Sequence, residues 1–227
     1  MAPTAAALER RITAWHEAAH AVVAFRFGIR VDELAICPSG PLAGYVRMLR
    51  PSMISLRSTW DDATSRLSWA LVRRDTEHHV MVRLAGPIAE ARLFGTPMRS
   101  HACESDLNSA IRLCDLLENY RTHLAARGVR VPAVPANDLA ARLHRRTRYV
   151  LAYPRTWKAV RVLAADLEGW SRLMGHDAAD TVQWTRRIDR QLSLLLPLPA
   201  EPGTRRPARS PRLRPVSAMM MKPGEAH

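Results

Sequence analysis

The stretch Thr13-Ala14-Trp15-His16-Glu17-Ala18-Ala19-His20-Ala21-Val22-Val23-Ala24 holds a His-Glu-x-x-His pattern in a run without proline or glycine. From Leu8 to Phe27 apolar residues recur at helical spacing, and Gly28 supplies the stop, so this segment is expected to be a helix. Four residues along a helix turn the chain by about 400° and rise about 6 Å, so the two imidazoles leave the same face. Two imidazoles so placed can share one tetrahedral Zn²⁺, each nitrogen at roughly 2.0–2.1 Å. Glu17 sits one step round the helix, within reach of a water held by such an ion. Zinc brings the pKa of that water toward ~7. With nine histidines in the chain, random order would produce the pattern only roughly 0.02 times. Its placement inside a helix strengthens the metal reading over that of an amphipathic helix with two satisfied histidines.

A catalytic zinc needs a third protein ligand. Position 26, where a third histidine of the metzincin type would fall, is Arg26, which excludes that class. Glu90, in Leu84-Ala85-Gly86-Pro87-Ile88-Ala89-Glu90, and Asp106, in Glu104-Ser105-Asp106-Leu107, are the rivals, with His101 and Cys103 close by. Taken alone, Asp106 reads as an acid favoured in a first helical turn and Glu90 as a surface carboxylate paired with an arginine.

Around the first helix the chain reads as mainly α. Val31 to Ile36 and Leu42 to Leu49, joined by Pro38-Ser39-Gly40-Pro41, are expected to form a small β-hairpin beside it. Helices are expected from Trp60 to Phe94 with a break near Arg74-Asp75, from Glu104 to Tyr120, from Asn137 to about Tyr153, from Arg155 to Met174 with a stop at Gly175, and from Asp177 to Leu196. Trp157, Trp170 and Trp184 read as core anchors or helix contacts, and Cys37 and Cys114 as small packing residues. His78 and His79 are adjacent and point to different faces, so they cannot pair as His16 and His20 can. Residues 1–196 form the expected domain. From 197 to 227 prolines interleave with arginines, and this segment is expected to be a disordered basic tail, because it cannot bury enough apolar area to offset its ordering entropy.

At 227 residues, with 47% apolar and 24% charged residues, there is room for one domain with a substantial core. The formal charge of +13 comes almost wholly from arginine, since Lys158 and Lys222 are the only lysines. No helix carries an unbroken basic stripe and no zinc-finger or RNA-binding aromatic motif is present, so nucleic-acid binding is not expected as the main role. No apolar run approaches the ~18 residues of a membrane span. Met1-Ala2-Pro3-Thr4 does not open a secretory signal, and three cysteines are too few for a disulfide framework. The expected setting is a reducing cytoplasm.

The segment Thr13 to Ala24 resembles the active-site helix of the M41 peptidases, the proteolytic domain of FtsH-type proteases. The Ile36 to Val46 stretch with Gly44, the Leu84 to Glu90 stretch running on to Phe94-Gly95, and the Ser100 to Ala110 stretch with Asp106-Leu107 are similar to the family's following motifs, in order. The resemblance covers about residues 8–190. It implies a helical metallopeptidase domain in which His16, His20 and Asp106 bind Zn²⁺, Glu17 is the general base, and Glu90 orients a ligand or packs helices. It further implies that the strand near Leu42–Val46 borders the cleft, where substrate backbone adds as a strand.

The departures are specific. Ala19 replaces the motif's usual glycine, Pro87 stands where a basic residue is usual, and the stretch from Leu49 to Glu77 is expanded. No Gly-x-x-x-x-Gly-Lys-Ser/Thr loop is present to cradle a nucleotide. The expectation is therefore a zinc endopeptidase without its own ATPase, acting on peptides or unfolded proteins or taking substrate from a separate ATPase or adaptor. Homo-oligomerisation is left open. The alternative is a catalytically weak or inactive peptidase-fold module that binds or regulates.

Overall fold

A computed structural model describes residues 4–37, 43–48, 66–95, 101–132, 136–183 and 185. The elements are α1 (Ala5–Arg26), β1 (Val31–Ile36), β2 (Gly44–Met48), α2 (Arg66–Phe94), α3 (His101–Ala126), α4 (Ala136–Ala152), α5 (Pro154–Trp170), β3 (Arg172–Met174) and α6 over 175–183. The architecture is mainly helical with one small antiparallel sheet. No helix among the described residues is long and apolar enough to cross a membrane. The turn at 38–41, residues 50–60, the side chain of Trp184 and the basic tail lie outside the described residues.

Helix α1 is the axis of the fold. Thr4 caps it, its hydroxyl accepting the Ala7 N–H at 3.3 Å, and Gly28 at φ 73° ends it in the left-handed region that glycine enters without strain. Every residue from Thr13 to Ala24 is buried. A helix covered on all sides must have partners on all sides, and α2, α5 and the sheet supply them. Val22, Val23, Leu163 and Leu167 belong to this core, where each fully buried side chain contributes about 1.5–3 kcal/mol. Arg10 ties the helix start to the end of α5, donating to the Glu168 carbonyl and to the Ser171 hydroxyl.

The sheet has the order β2-β1-β3, both neighbours antiparallel to β1. The expected hairpin is present, with Leu34 opposite Val46 and Ile36 opposite Gly44. The third strand was not expected. Helix α5 ends at Trp170 instead of running on to Met174, because Ser171 adopts φ 63° and turns the chain so that Arg172–Met174 pairs with β1.

Helix α2 does not break near Arg74-Asp75. The polar run is stitched into the helix by Arg73 donating to Glu77 at 2.8 Å, by the Thr76 hydroxyl on the Val72 carbonyl, and by His79 on the Asp75 carbonyl. Glu77 also meets Arg142 and Arg146 of α4. Helix α2 continues through Pro87, which cannot donate to the carbonyl one turn back. Trp157 packs beside Trp15 at 5.2 Å between ring centres, whereas Trp170 is exposed and so is not a core anchor. Cys114 is buried and Cys37 half-buried.

Candidate metal centre

The two imidazoles of α1 stand edge to face, ring centres 4.6 Å apart. Each directs Nε2 to the same atom: Asp106 Oδ2 lies 2.9 Å from His16 Nε2 and 2.9 Å from His20 Nε2. Asp106 comes from the start of α3, some ninety residues further along the chain. His16, His20 and Asp106 are all buried.

The second ring nitrogens decide what the cluster can hold. His16 Nδ1 is 2.6 Å from Glu90 Oε1, and His20 Nδ1 is 2.6 Å from the Val82 carbonyl oxygen. A carbonyl only accepts, so His20 carries its proton on Nδ1; a carboxylate at 2.6 Å sets the same tautomer on His16. Were both rings neutral, their Nε2 lone pairs would face Asp106 Oδ2, itself an acceptor. Three acceptors converging in a buried spot need a cation between them, protons or a metal. His16 is accordingly held well above the ordinary imidazole range: burial opposes its charge, but hydrogen bonds to Asp106, Cys103 and Glu90 outweigh it. Asp106 is pushed well below the carboxylate range, with burial opposed and overcome by His20 and His16.

The donor set suits zinc. Two imidazole nitrogens and one carboxylate oxygen are borderline ligands, and a tetrahedral ion at ~2.0–2.1 Å would separate them by roughly 3.3 Å. The observed 2.9 Å separations need open by only a few tenths of an ångström. Arg83 donates to the other Asp106 oxygen, Oδ1, at 3.3 Å, which leaves Oδ2 as the oxygen turned to the histidines.

Glu90 lies on the far side of His16. Its ligand atoms group with those of His16 and Cys103, not with those of His20, and the Cys103 thiol donates to Glu90 Oε2 at 3.2 Å. Among the described residues the two histidines are joined by Asp106, and no grouping joins both of them with Glu90. The side chain of His101 lies outside the described residues. Glu17 is buried beside the cluster. Burial raises its carboxyl above the usual range, with the charges of His20 and His16 pulling the other way. Ala19 faces the core, fully buried.

Four features escaped the sequence reading. A Cβ at Gly86 would stand 2.5 Å from His16 Nε2 and 2.6 Å from His20 Nε2, so α2 crosses the histidines where only a glycine fits. The signal was available, since an interior helical glycine costs up to about 1 kcal/mol against alanine. Gly44 of β2 plays a similar part, a Cβ there falling 2.9 Å from Glu17 Cγ and 2.7 Å from Thr13 Cγ2. Arg83 and the Val82 carbonyl give no sequence signal at all.

No family model matches the chain. Over 106 residues it is 27% identical to the ATP-dependent zinc metalloprotease YME1L1 of Mus musculus, and equally to the proteins of that name from Homo sapiens and Rattus norvegicus. The match takes in 46% of this chain, which spans 13% of the mouse and rat proteins and 12% of the human one. The chain is thus distantly and partially similar to ATP-dependent zinc metalloproteases, and it holds a buried His/Asp cluster with the donor chemistry of a metal centre.

Proposed function

We propose that the chain is a zinc-dependent endopeptidase that hydrolyses peptide bonds in unfolded or partner-delivered proteins, with His16, His20 and Asp106 as ligands and Glu17 as general base. The observation that carries this is the convergence of two imidazole Nε2 atoms on one buried carboxylate oxygen, in a segment of the His-Glu-x-x-His type. When bound, the ion supplies Lewis acidity toward the scissile carbonyl and toward water. Glu90 and the Val82 carbonyl hold the rings in the metal-binding tautomer. Glu17 takes a proton from the attacking water on its carboxylate and passes it to the leaving amine, a task that suits a carboxyl raised by burial. Strand β2 is one of the two edges of the described sheet, and it is the one whose Gly44 packs against Glu17. An extended substrate adding to that edge would run past the general base. Unfolding would fall to a separate ATPase or adaptor.

A second reading, a module that binds polypeptide without cutting it, draws on the same burial, since Glu17 is only 5% exposed. Purified protein separates the two. One zinc per chain with chelator-sensitive cleavage of an unstructured substrate such as casein, abolished in Glu17→Gln at unchanged zinc content, supports the endopeptidase. Zinc at full stoichiometry without cleavage of casein or short peptides leaves the binding module.

A further inference from the structure

Helix α5 starts with its N-terminal end unsatisfied. Its N-cap, Tyr153, makes no side-chain capping bond, and Pro154 fills the first turn without an N–H. The first helical bond runs from Trp157 N–H to the Tyr153 carbonyl. The N–H groups of Arg155 and Thr156 therefore have no acceptor within the helix. Both residues line a cavity of about 310 Å³ between α1, α5 and α6, with Val22 and Ala159 in its wall and Arg26 and Tyr153 beside them.

Thr156 separates this helix end from an ordinary one. It is 5% exposed, it lines the cavity, and its hydroxyl makes no hydrogen bond among the described residues. The other buried or half-buried helical threonines do otherwise: Thr13, Thr76, Thr147 and Thr185 each give the hydroxyl to the carbonyl four residues back, and Thr181 gives it to Asp166 Oδ2. Arg26 and Arg155 have no acidic partner among the described residues, and no carboxylate lines the cavity. Nearby Arg92, by contrast, is engaged, stacked 4.0 Å over Trp157 and donating to the Leu151 carbonyl.

Two guanidinium forks, two helix-end N–H groups with their partial positive charge, and one hydroxyl supply more donors than the two oxygens of a carboxylate accept. They match the terminal oxygens of a phosphate. We infer that this cavity is a binding site for a phosphate group, carried by a small phosphorylated molecule or by a phosphorylated side chain of another protein. Val22 lies two residues beyond His20 on α1, about 200° round the helix, so the site is separate from the metal centre.

The test uses the full chain in calorimetric titration at physiological salt, with inorganic phosphate, a phosphoserine peptide and the same peptide unphosphorylated. Wild-type protein is expected to bind phosphate and phosphopeptide and to ignore the unphosphorylated peptide. A phosphopeptide at least tenfold tighter than phosphate assigns the protein source; equal affinities assign the small-molecule source. Thr156→Val, which keeps the side-chain shape, is expected to weaken binding at least fivefold, and Arg26→Gln with Arg155→Gln to abolish it. Both arginines are exposed, so each single variant should fold and give an intermediate loss. Arg212→Gln with Arg214→Gln, in the basic tail, should leave binding unchanged. Absence of wild-type binding, or Thr156→Val and the double variant binding as wild type does, overturns the site.

Discussion

Gly86 lies against His16 so closely that an added Cβ would sit 2.5 Å from the ring nitrogen Nε2. The rings cannot retreat, because Glu90 and the Val82 carbonyl hold them from behind. Gly86→Ala should favour helix α2 by up to about 1 kcal/mol on propensity while displacing both imidazoles. The expected outcome is unchanged helicity by circular dichroism with zinc affinity reduced at least tenfold in chelator competition. Unchanged affinity would mean that the rings do not hold the ion.

Asp106 and Glu90 both touch His16, one at each ring nitrogen. A ligand and an orienting carboxylate respond differently to removal. Asp106→Ala should strip zinc at any concentration that wild type survives. Glu90→Gln should weaken it by about 10–100-fold and still reach one ion per chain at saturation. Atomic absorption across a zinc titration of both variants reads this difference. The reverse order would move the third ligand to Glu90.

Glu33, central in the sheet, accepts from Tyr45 at 2.8 Å and pairs with Arg172 and Arg47. The Tyr45 hydrogen bond first, then Arg172 and Arg47, hold its carboxyl below the ordinary 4.5 against the opposing pull of burial. A depressed carboxyl stabilises the fold above its unfolded value and loses that contribution as pH falls below 4.5 toward the folded one. Glu33→Gln should melt roughly 2–4 °C below wild type at pH 7, a shift that corresponds to ~1 kcal/mol in a chain of this size. The gap should narrow steadily between pH 4.5 and pH 3, as thermal melts across that range would record. A constant gap would assign the loss to packing.

What the sequence made legible was set by how local each signal is. A four-residue step places His16 and His20 on one face whatever surrounds them, and Gly28 ends α1 by backbone conformation alone. The third strand gave no such signal. Its turn rests on Ser171 in a left-handed conformation that glycine would have advertised, and β3 exists because β1 offers it an edge. The expected break in α2 failed for the converse reason: Arg73, Asp75 and Glu77 look like loop residues until Arg142 and Arg146 arrive from α4 to pair with Glu77. At the centre itself, Asp106 could be ranked above Glu90 only through resemblance. Spacing along the chain does not say that one carboxylate reaches both Nε2 atoms and the other reaches the back of a single ring.

Gly169 and Gly175 stand six residues apart and should answer the same substitution in opposite ways. Nothing lies within 4 Å of a Cβ built on Gly169, which is inside α5, so alanine there only stiffens the unfolded chain and favours the helix. Gly169→Ala should stabilise by about 0.5–1 kcal/mol. A Cβ on Gly175 would fall 1.8 Å from the Val31 carbonyl oxygen, a main-chain atom fixed within β1. Alanine there must push β3 and the start of α6 off the sheet, at a cost of about 3 kcal/mol or more. Urea unfolding of both variants gives the sign of each change. Amide exchange in Gly175→Ala should show Leu34 and Ile36, whose N–H groups lie on the β3 side of β1, Ile36 donating to the Ser171 carbonyl, losing protection ahead of the core of α1. Equal effects at the two glycines would mean that Gly175 does not pass the Val31 carbonyl closely enough to exclude a side chain.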